Sequence, residues 1–293
     1  MTGPVIGIIG GSGLYQIDGL DGVEWRRVSS PFGATSDEFC FGTLGGQSVV
    51  FLPRHGRGHV LPPSQINFRA NIDALKRCGV TDIVSLSAVG SLREDLMPGD
   101  FVVVDQFVDR TFAREKSFFG PGCVAHVSLA RPVCGRIGDA LAAAAEGGSI
   151  ALKRGGTYMV MEGPQFSTLA ESRLYRSWGC DLIGMTNMPE AKLAREAEIC
   201  YATVAMVTDY DCWRPAHDDV TVEMILAHLH ANAAKARDLV KAVVPLLAGH
   251  DGPCRAGCQR ALCHALITAP ECRDPAVLAR LDAVAGRVLG MLE

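Results

Sequence analysis

The chain has no surplus of positive charge: 28 Lys and Arg stand against 32 Asp and Glu, a net charge of −4 over 293 residues. Binding a nucleic-acid backbone takes a clustered excess of Lys and Arg, so no nucleic-acid partner is expected. No apolar run reaches the length of a membrane span, and no membrane association is expected either. The first seventeen residues lack the basic segment of a secretory leader, and Gly7, Gly10, Gly11 and Gly13 interrupt their apolar stretch. There is no Gly-Lys pair, which excludes the nucleotide-triphosphate loop. The dinucleotide fingerprint also fails, because Gln16 stands where the third glycine after Gly11-Ser-Gly13 is needed.

What is abundant is cysteine, eleven in all. The first seven are scattered and mostly flanked by apolar residues, as in Glu198-Ile-Cys200-Tyr, the usage of a reduced chain that treats Cys as a small hydrophobe. The cytoplasm is the expected address. At 48% hydrophobic and 20% charged residues, the chain has enough apolar material to bury a sizeable core and shape a pocket.

Near-continuous apolar runs of strand length recur at Val5–Ile9, Gln47–Leu52, Asp82–Leu86, Phe101–Val104, Thr157–Met161, Leu182–Met185 and Tyr201–Val207. Such runs fit strands covered on both faces. Helical patterns lie between several of them: Ser64–Cys78, with Ser64 as cap, then Ser167–Trp178, Pro189–Ile199 and Val220–Leu247. The alternation predicts an α/β fold, a single domain over 1–248 with a mixed, mostly parallel central sheet flanked by helices. Past the turn-rich Gly249–Pro253, a Cys-rich helical tail is expected over 249–293.

Ligands of open α/β sheets bind beyond the carboxyl ends of the strands. The polar signals fall there: Gly10-Gly-Ser12-Gly13, Arg54-His55-Gly-Arg57, Ser87-Ala88-Val-Gly90, Glu162-Gly-Pro-Gln-Phe166-Ser167, Met185-Thr186-Asn187 and Thr208-Asp209-Tyr-Asp211. The Gly-Ser-Gly turn can bring bare amides and the Ser12 hydroxyl to an anion, or serve only as a turn. Arg54 offers a planar fork for phosphate; the alternative is a solvated surface turn. His55 and His59 are four apart, but the intervening Gly56 and Gly58 argue against a helical metal pair, and no metal site is expected. Asp209 and Asp211 follow a fully apolar strand. Burial and mutual repulsion would let such a pair hold a proton near neutral pH. The competing role is a turn cap.

In this order the segments resemble the trimeric purine nucleoside phosphorylase family. The resemblance is carried by Ile6–Leu14, Pro31-Phe-Gly33, Arg54-His-Gly-Arg57, Asn67 with Ala70-Asn71, Ala88–Glu94, Pro98-Gly-Asp100, Asp105–Thr111, Glu162–Ser167, Met185-Thr186 with Met188-Pro-Glu190, and Thr208–Trp213. It runs from about Val5 to Leu247 and stops at the cysteine tail.

The resemblance implies a homotrimer that phosphorolyses 5′-deoxy-5′-methylthioadenosine, with inorganic phosphate as co-substrate and no cofactor. Carried over by position, Ser12, Arg54, His55, Ser87, Ala88 and Thr186 would hold phosphate. Phe166, Ser167, Met185, Asp209 and Asp211 would meet the nucleoside. Val222, Ile225 and Leu226, with His59 and a neighbouring subunit's His126, would line the methylthio pocket. Family members that act on 6-oxopurines carry Asn at the Asp209 position and Glu at the Ser167 position, so Asp and Ser here favour adenine. Asn187, next to the ribose-contact stretch, and two further departures, Ser12 and Gln165, leave 5′-methylthioinosine or a general purine nucleoside open. From a different class, a catalytically silent nucleoside sensor would have lost Asp209 or Arg54, and both are present. A third reading is a redox or zinc module in the tail: Cys254-x3-Cys258 and Cys258-x4-Cys263 could lie on one helix face or pair covalently, but neither matches a Cys-x-x-Cys metal pair, so packing is the expectation, with a functional or disulfide role open.

Overall fold

The computed structural model describes residues 4–11, 14, 17–147, 150–214, 222–249 and 254–291; side chains of 222–227, 229 and 230 lie outside that description. In chain order the elements are β1 (Val5–Gly10), β2 (Leu20–Arg26), β3 (Phe39–Leu44), β4 (Gln47–Pro53), α1 (Phe68–Arg77), β5 (Val80–Ser91), β6 (Phe101–Val103) and β7 (Gln106–Asp109). There follow α2 (Gly135–Glu146), β8 (Leu152–Arg154), β9 (Thr157–Val160), α3 (Leu169–Ser177), β10 (Leu182–Gly184), α4 (Asn187–Glu196) and β11 (Cys200–Asp209). The last are α5 (Val222–Ala248), α6 (Pro275–Arg280) and α7 (Asp282–Leu289).

The twelve-residue β5 organises the sheet. It pairs in parallel with β1 on one side and β11 on the other, while its last residues, Gly90 and Ser91, also pair with β10. Outward from β1 lie β4, β3 and β2; outward from β10 lie β9 and β7; β6 and β8 extend from β11. The mixed, mostly parallel architecture is thus as expected.

The apolar runs are continuous because each central strand feeds two cores. On β11, Tyr201, Ala205 and Val207 join one core, with α1, α4 and α7, whereas Ala202, Val204 and Met206 join the other, with α2 and α5. Of the strands missed in the sequence, β2 is mostly exposed and β7 is short and only half-buried, whereas β3 feeds both cores, with Phe39 in the first and Cys40 and Leu44 in the second.

The first helix is a correction. Ser64 falls in a 3-10 turn (Pro63–Gln65), and α1 starts at Phe68 with Asn67 as cap, its side chain accepting from the Ala70 amide. Proline suits the first positions of a helical turn, which is why the pattern looked one turn too long. Residues 254–291 lie across both cores: Leu262, Ala265, Leu281, Val284 and Ala285 are buried in the first, Cys254 and Cys258 in the second.

At the end of α4, Glu196 is buried and accepts from the Ser117 hydroxyl (2.7 Å) and the Phe118 amide (2.8 Å), fixing the 117–118 loop. Burial pushes its carboxyl up to about 7, against those bonds. A raised folded-state pKa favours folding below the ordinary glutamate value, a contribution lost as pH rises through 7. Glu196→Gln should therefore remove a decline in stability on the order of 3 kcal/mol between about pH 4.5 and 7; denaturant unfolding of both proteins across that range measures it.

Candidate active site

The carboxyl ends of β1, β4, β5, β9, β10 and β11 converge as expected. The Arg54 amide donates to the Gly10 carbonyl (3.0 Å), so the chain leaving β4 lies against the end of β1. The Arg54 side chain is a correction. It is buried, and its Nε and Nη2 form a fork on the Glu190 carboxylate at 2.7 and 3.0 Å. Nη2 also donates to Ser85 Oγ (2.6 Å) and Nη1 to the Leu86 carbonyl (3.2 Å). A guanidinium has five N–H groups, and four are committed. The bidentate face is thus spent inside the protein, leaving one Nη1 hydrogen for an anion. Buried charges need such a partner, and the sequence pattern around Arg54 alone does not reveal Glu190.

Asn187 is a second correction. Its side chain is fully buried, with Nδ2 2.6 Å from Tyr201 OH, 3.0 Å from Thr203 Oγ1 and 3.1 Å from Ser85 Oγ, three acceptors sharing two N–H groups, and with Oδ1 left without a hydrogen-bond partner among the described residues. It braces the same polar network, in which Tyr201 OH donates to Glu190 (2.8 Å), so its amide nitrogen is spent inside the protein.

Next to that network is a hydroxyl cluster: Ser87 Oγ lies 3.1 Å from both Thr186 Oγ1 and Tyr158 OH. Tyr158 OH would be 2.0 Å from any Cβ at position 184, so Gly184 is required there. Thr186 begins α4 without capping it through its side chain, which frees the hydroxyl for other work. His55 Nδ1 is 2.9 Å from the Leu61 carbonyl, an acceptor only, so Nδ1 carries the proton and Nε2 is left as an acceptor. Burial pushes this imidazole down to about 4, and it is neutral at physiological pH. His59, in the left-handed region at φ 56°, stacks on His55 at 4.1 Å.

Asp209 ends β11 beside Gly90, where a Cβ would come within 2.8 Å of its Oδ1. Its Oδ1 accepts from the Asp211 amide and its Oδ2 from the Thr208 hydroxyl, both at 2.7 Å. That hydroxyl also lies 3.2 Å from the Val89 carbonyl. It can therefore turn to Val89 and accept from a protonated Asp209, so either charge state is accommodated. Burial pushes Asp209 above the usual carboxylate range, although His228 on α5 opposes the shift. Asp211, in the left-handed region at φ 52°, is pushed up to about 6 by burial, with the Asp209 charge adding to it. The Ser172 and Ser167 hydroxyls face Asp211 closely enough to oppose that rise, although Asp211 Oδ2 and the Ser172 hydroxyl make no well-formed hydrogen bond among the described residues.

The wall of the site comes from the chain after β9. Cys212 Sγ donates to the Ser167 carbonyl (3.3 Å), which ties Phe166-Ser167 to the Asp209–Asp211 turn, and Trp213 Nε1 donates to the Ser91 carbonyl (2.8 Å). Phe166 is 44% exposed, with a ring face available. A Cβ at Gly163 would meet Met185 Sδ at 2.5 Å, so the Glu162–Ser167 segment lies on Met185. Sequence reasoning missed Arg114, whose buried guanidinium donates to the carbonyls of Met185 (2.6 Å), Met188 (2.7 Å) and Glu162 (2.7 Å). It lies in an irregular stretch without any pattern that marks it.

Among the described residues, His126 is not joined to this group within the chain: it is exposed and lines a separate cavity of about 410 Å³ with Lys116, Phe119, Val127 and Lys192. Ser12 and the side chains of Val222, Ile225 and Leu226 lie outside the described residues, although α5 brings His228 near Asp209.

A parallel-cored sheet whose strand ends gather hydroxyls, a neutral imidazole and two buried acids defines a class, the α/β enzymes whose site lies at the carboxyl ends of the strands. Within it, the chain belongs to the phosphorylase superfamily, whose family model matches residues 5–245. It is 63% identical over 285 residues to the S-methyl-5′-thioadenosine phosphorylase of Cereibacter sphaeroides, covering 97% of this chain and 98% of that one. Among solved structures it superposes on a methylthioadenosine phosphorylase from an antarctic soil metagenomic library, with a TM-score of 0.91, 46% identity and 97% and 99% of the two chains covered. It also superposes on the Schistosoma mansoni methylthioadenosine phosphorylase in complex with adenine, with a TM-score of 0.80, 39% identity and 85% and 93% covered. The first two matches extend through residues 254–291, correcting the expectation that the resemblance stops near Leu247.

Removing one partner of the Arg54–Glu190 pair leaves a buried charge unpaired. Glu190→Ala should cost about 3–5 kcal/mol of unfolding free energy, read from denaturant titration; a loss below 1 kcal/mol would show that water reaches Arg54.

Proposed function

We propose that the protein cleaves 5′-deoxy-5′-methylthioadenosine with inorganic phosphate, giving adenine and 5-methylthioribose 1-phosphate. The observation that carries this reading is the buried acid pair at the end of β11. Breaking an N-glycosidic bond builds positive charge on the sugar and negative charge on the departing purine. An acid whose pKa is raised by burial can give its proton to the purine as the bond breaks, and Thr208 can serve Asp209 before and after that transfer. Asp211, a second acceptor beside Asp209, suits the exocyclic amine of adenine. A 6-oxopurine would present it with another acceptor, so methylthioinosine is the weaker alternative.

Phosphate is then the anion beneath the sugar and the nucleophile. Ser12, the remaining Arg54 hydrogen, Ser87, the Ala88 backbone and Thr186 would hold it, with neutral His55 accepting from a phosphate hydroxyl through Nε2. Because Glu190 cancels the Arg54 charge, this site works mainly through neutral donors. Phe166 offers a face for the base, and Met185, held by Arg114, offers backbone to the ribose. Val222, Ile225, Leu226 and His59 would surround the methylthio group. His126 would come from a neighbouring subunit of a homotrimer, which suits its place on a surface cavity away from its own chain's Asp209. Cysteines that form no disulfide suit the reducing cytoplasm.

Incubation with phosphate and, separately, methylthioadenosine, methylthioinosine, adenosine or inosine should release adenine from methylthioadenosine fastest; faster release of hypoxanthine from methylthioinosine overturns the choice of base. Asp209→Asn, which keeps the size and one acceptor, should lower turnover by roughly 10²–10⁴-fold with the far-UV spectrum unchanged. An unaltered rate takes Asp209 out of the chemistry.

A further inference from the structure

The structure separates the cysteines of the tail. Cys263 and Cys272 are exposed, whereas Cys254 and Cys258 are buried and meet two cysteines of the preceding domain, Cys134 and Cys200. The four sulfurs all lie within 4.8 Å of one another, with Cys134 to Cys254 at 3.6 Å and Cys254 to Cys258 at 3.7 Å. Small hydrophobes pack without having to aim the same atom at one point, and these four residues come from three separate stretches of chain.

A zinc ion bonded to four thiolates at about 2.3 Å sets its sulfurs about 3.8 Å apart at the corners of a tetrahedron. These two sulfur separations are already near that edge. The backbone is held for the purpose. Cys134 caps α2 and its amide donates to the Tyr201 carbonyl at 2.7 Å, which joins the residues beside two of the sulfurs. Cys254 and Cys258 flank a turn closed by the Gly257 amide on the Cys254 carbonyl (2.9 Å), with Gly257 left-handed at φ 70°. The Cys254 amide in turn donates to the Gln259 side chain (3.0 Å).

We propose that Cys134, Cys200, Cys254 and Cys258 bind one structural zinc ion, which fastens the C-terminal segment to the catalytic domain. All four ligands come from protein, which closes the coordination shell and leaves no position for water or substrate. The site also lies far from the chemistry. Cys200 begins β11 and Asp209 ends it, a span of about 30 Å at 3.3 Å per residue. What the ion holds is residues 254–268. The amide of Ile267 donates to the Val124 carbonyl (2.9 Å), and those of His126 and Val124 donate to the Ala265 carbonyl and the Thr268 hydroxyl (both 2.8 Å). Losing the ion would therefore loosen the short extended segment that carries His126.

The test uses the full chain without a polyhistidine tag, purified anaerobically. Elemental analysis should find about one zinc per chain. A mercurial titration should modify the exposed Cys263 and Cys272 first without releasing metal, then release zinc as the buried thiols react. Cobalt exchanged for zinc should give the visible absorption of a tetrahedral tetrathiolate. Cys254→Ser/Cys258→Ser should lose the metal and lower Tm while keeping phosphorolysis measurable. Metal-free protein with eleven alkylatable thiols, disulfides among these four cysteines, iron in place of zinc, or full zinc retention by the double variant would each overturn the proposal. The first three are read on the unaltered protein and hold even where the variant fails to fold.

Discussion

The buried pair of Arg54 and Glu190 is the constraint on which the site depends. Taking both charges out of water is costly, and the cost is offset only because Ser85, the Leu86 carbonyl and Tyr201 complete their hydrogen bonds. The pair clamps the end of β4 to α4 across β5, and so fixes where Thr186 and Ser87 stand. The same neutralisation sets the character of the anion site. With Arg54 balanced and His55 uncharged, the phosphate proposed there would meet mainly neutral donors, which favour one seated geometry over a diffuse attraction to any anion.

At the other end of the site the governing term is desolvation. Asp209 and Asp211 sit at the end of a strand buried along its whole length, and that burial, more than their mutual repulsion, raises their pKa values. The repulsion anticipated from the two-residue spacing appears only as a secondary cause at Asp211. Arg114 acts at one remove. It gathers three carbonyls, from the chain after β9 and around the start of α4, and so ties the Glu162–Ser167 segment to Met185.

Much of this was legible in the sequence, and for a physical reason. A strand that feeds two cores must be apolar throughout, so β1, β4, β5, β9 and β11 stand out as runs, and polar residues at their ends stand out in turn. Ser87, Thr186, Asp209 and Asp211 were read in that way. Features that depend on partners remote in sequence were not legible. Glu190 lies 136 positions from Arg54, and Arg114 about 70 from the carbonyls of Met185 and Met188. Asn187 was misread because adjacency to a site in sequence says nothing about which way a side chain points on a helix start. The convergence of Cys134 and Cys200 with Cys254 and Cys258 left no local spacing to detect, since two of the four sit alone among apolar neighbours.

The bridge between Ala125 and Leu266 has a consequence for the order in which the molecule is made. Its two strands are separated by about 140 residues, so at 5–20 residues per second the earlier one waits roughly 7–28 s on the ribosome for its partner. During that interval β5 already has β1 to pair with and β11 is made, while the amides of Val124 and His126 still lack the Thr268 hydroxyl and the Ala265 carbonyl that hold them. The central sheet is therefore paired before the segment that carries His126 is fastened.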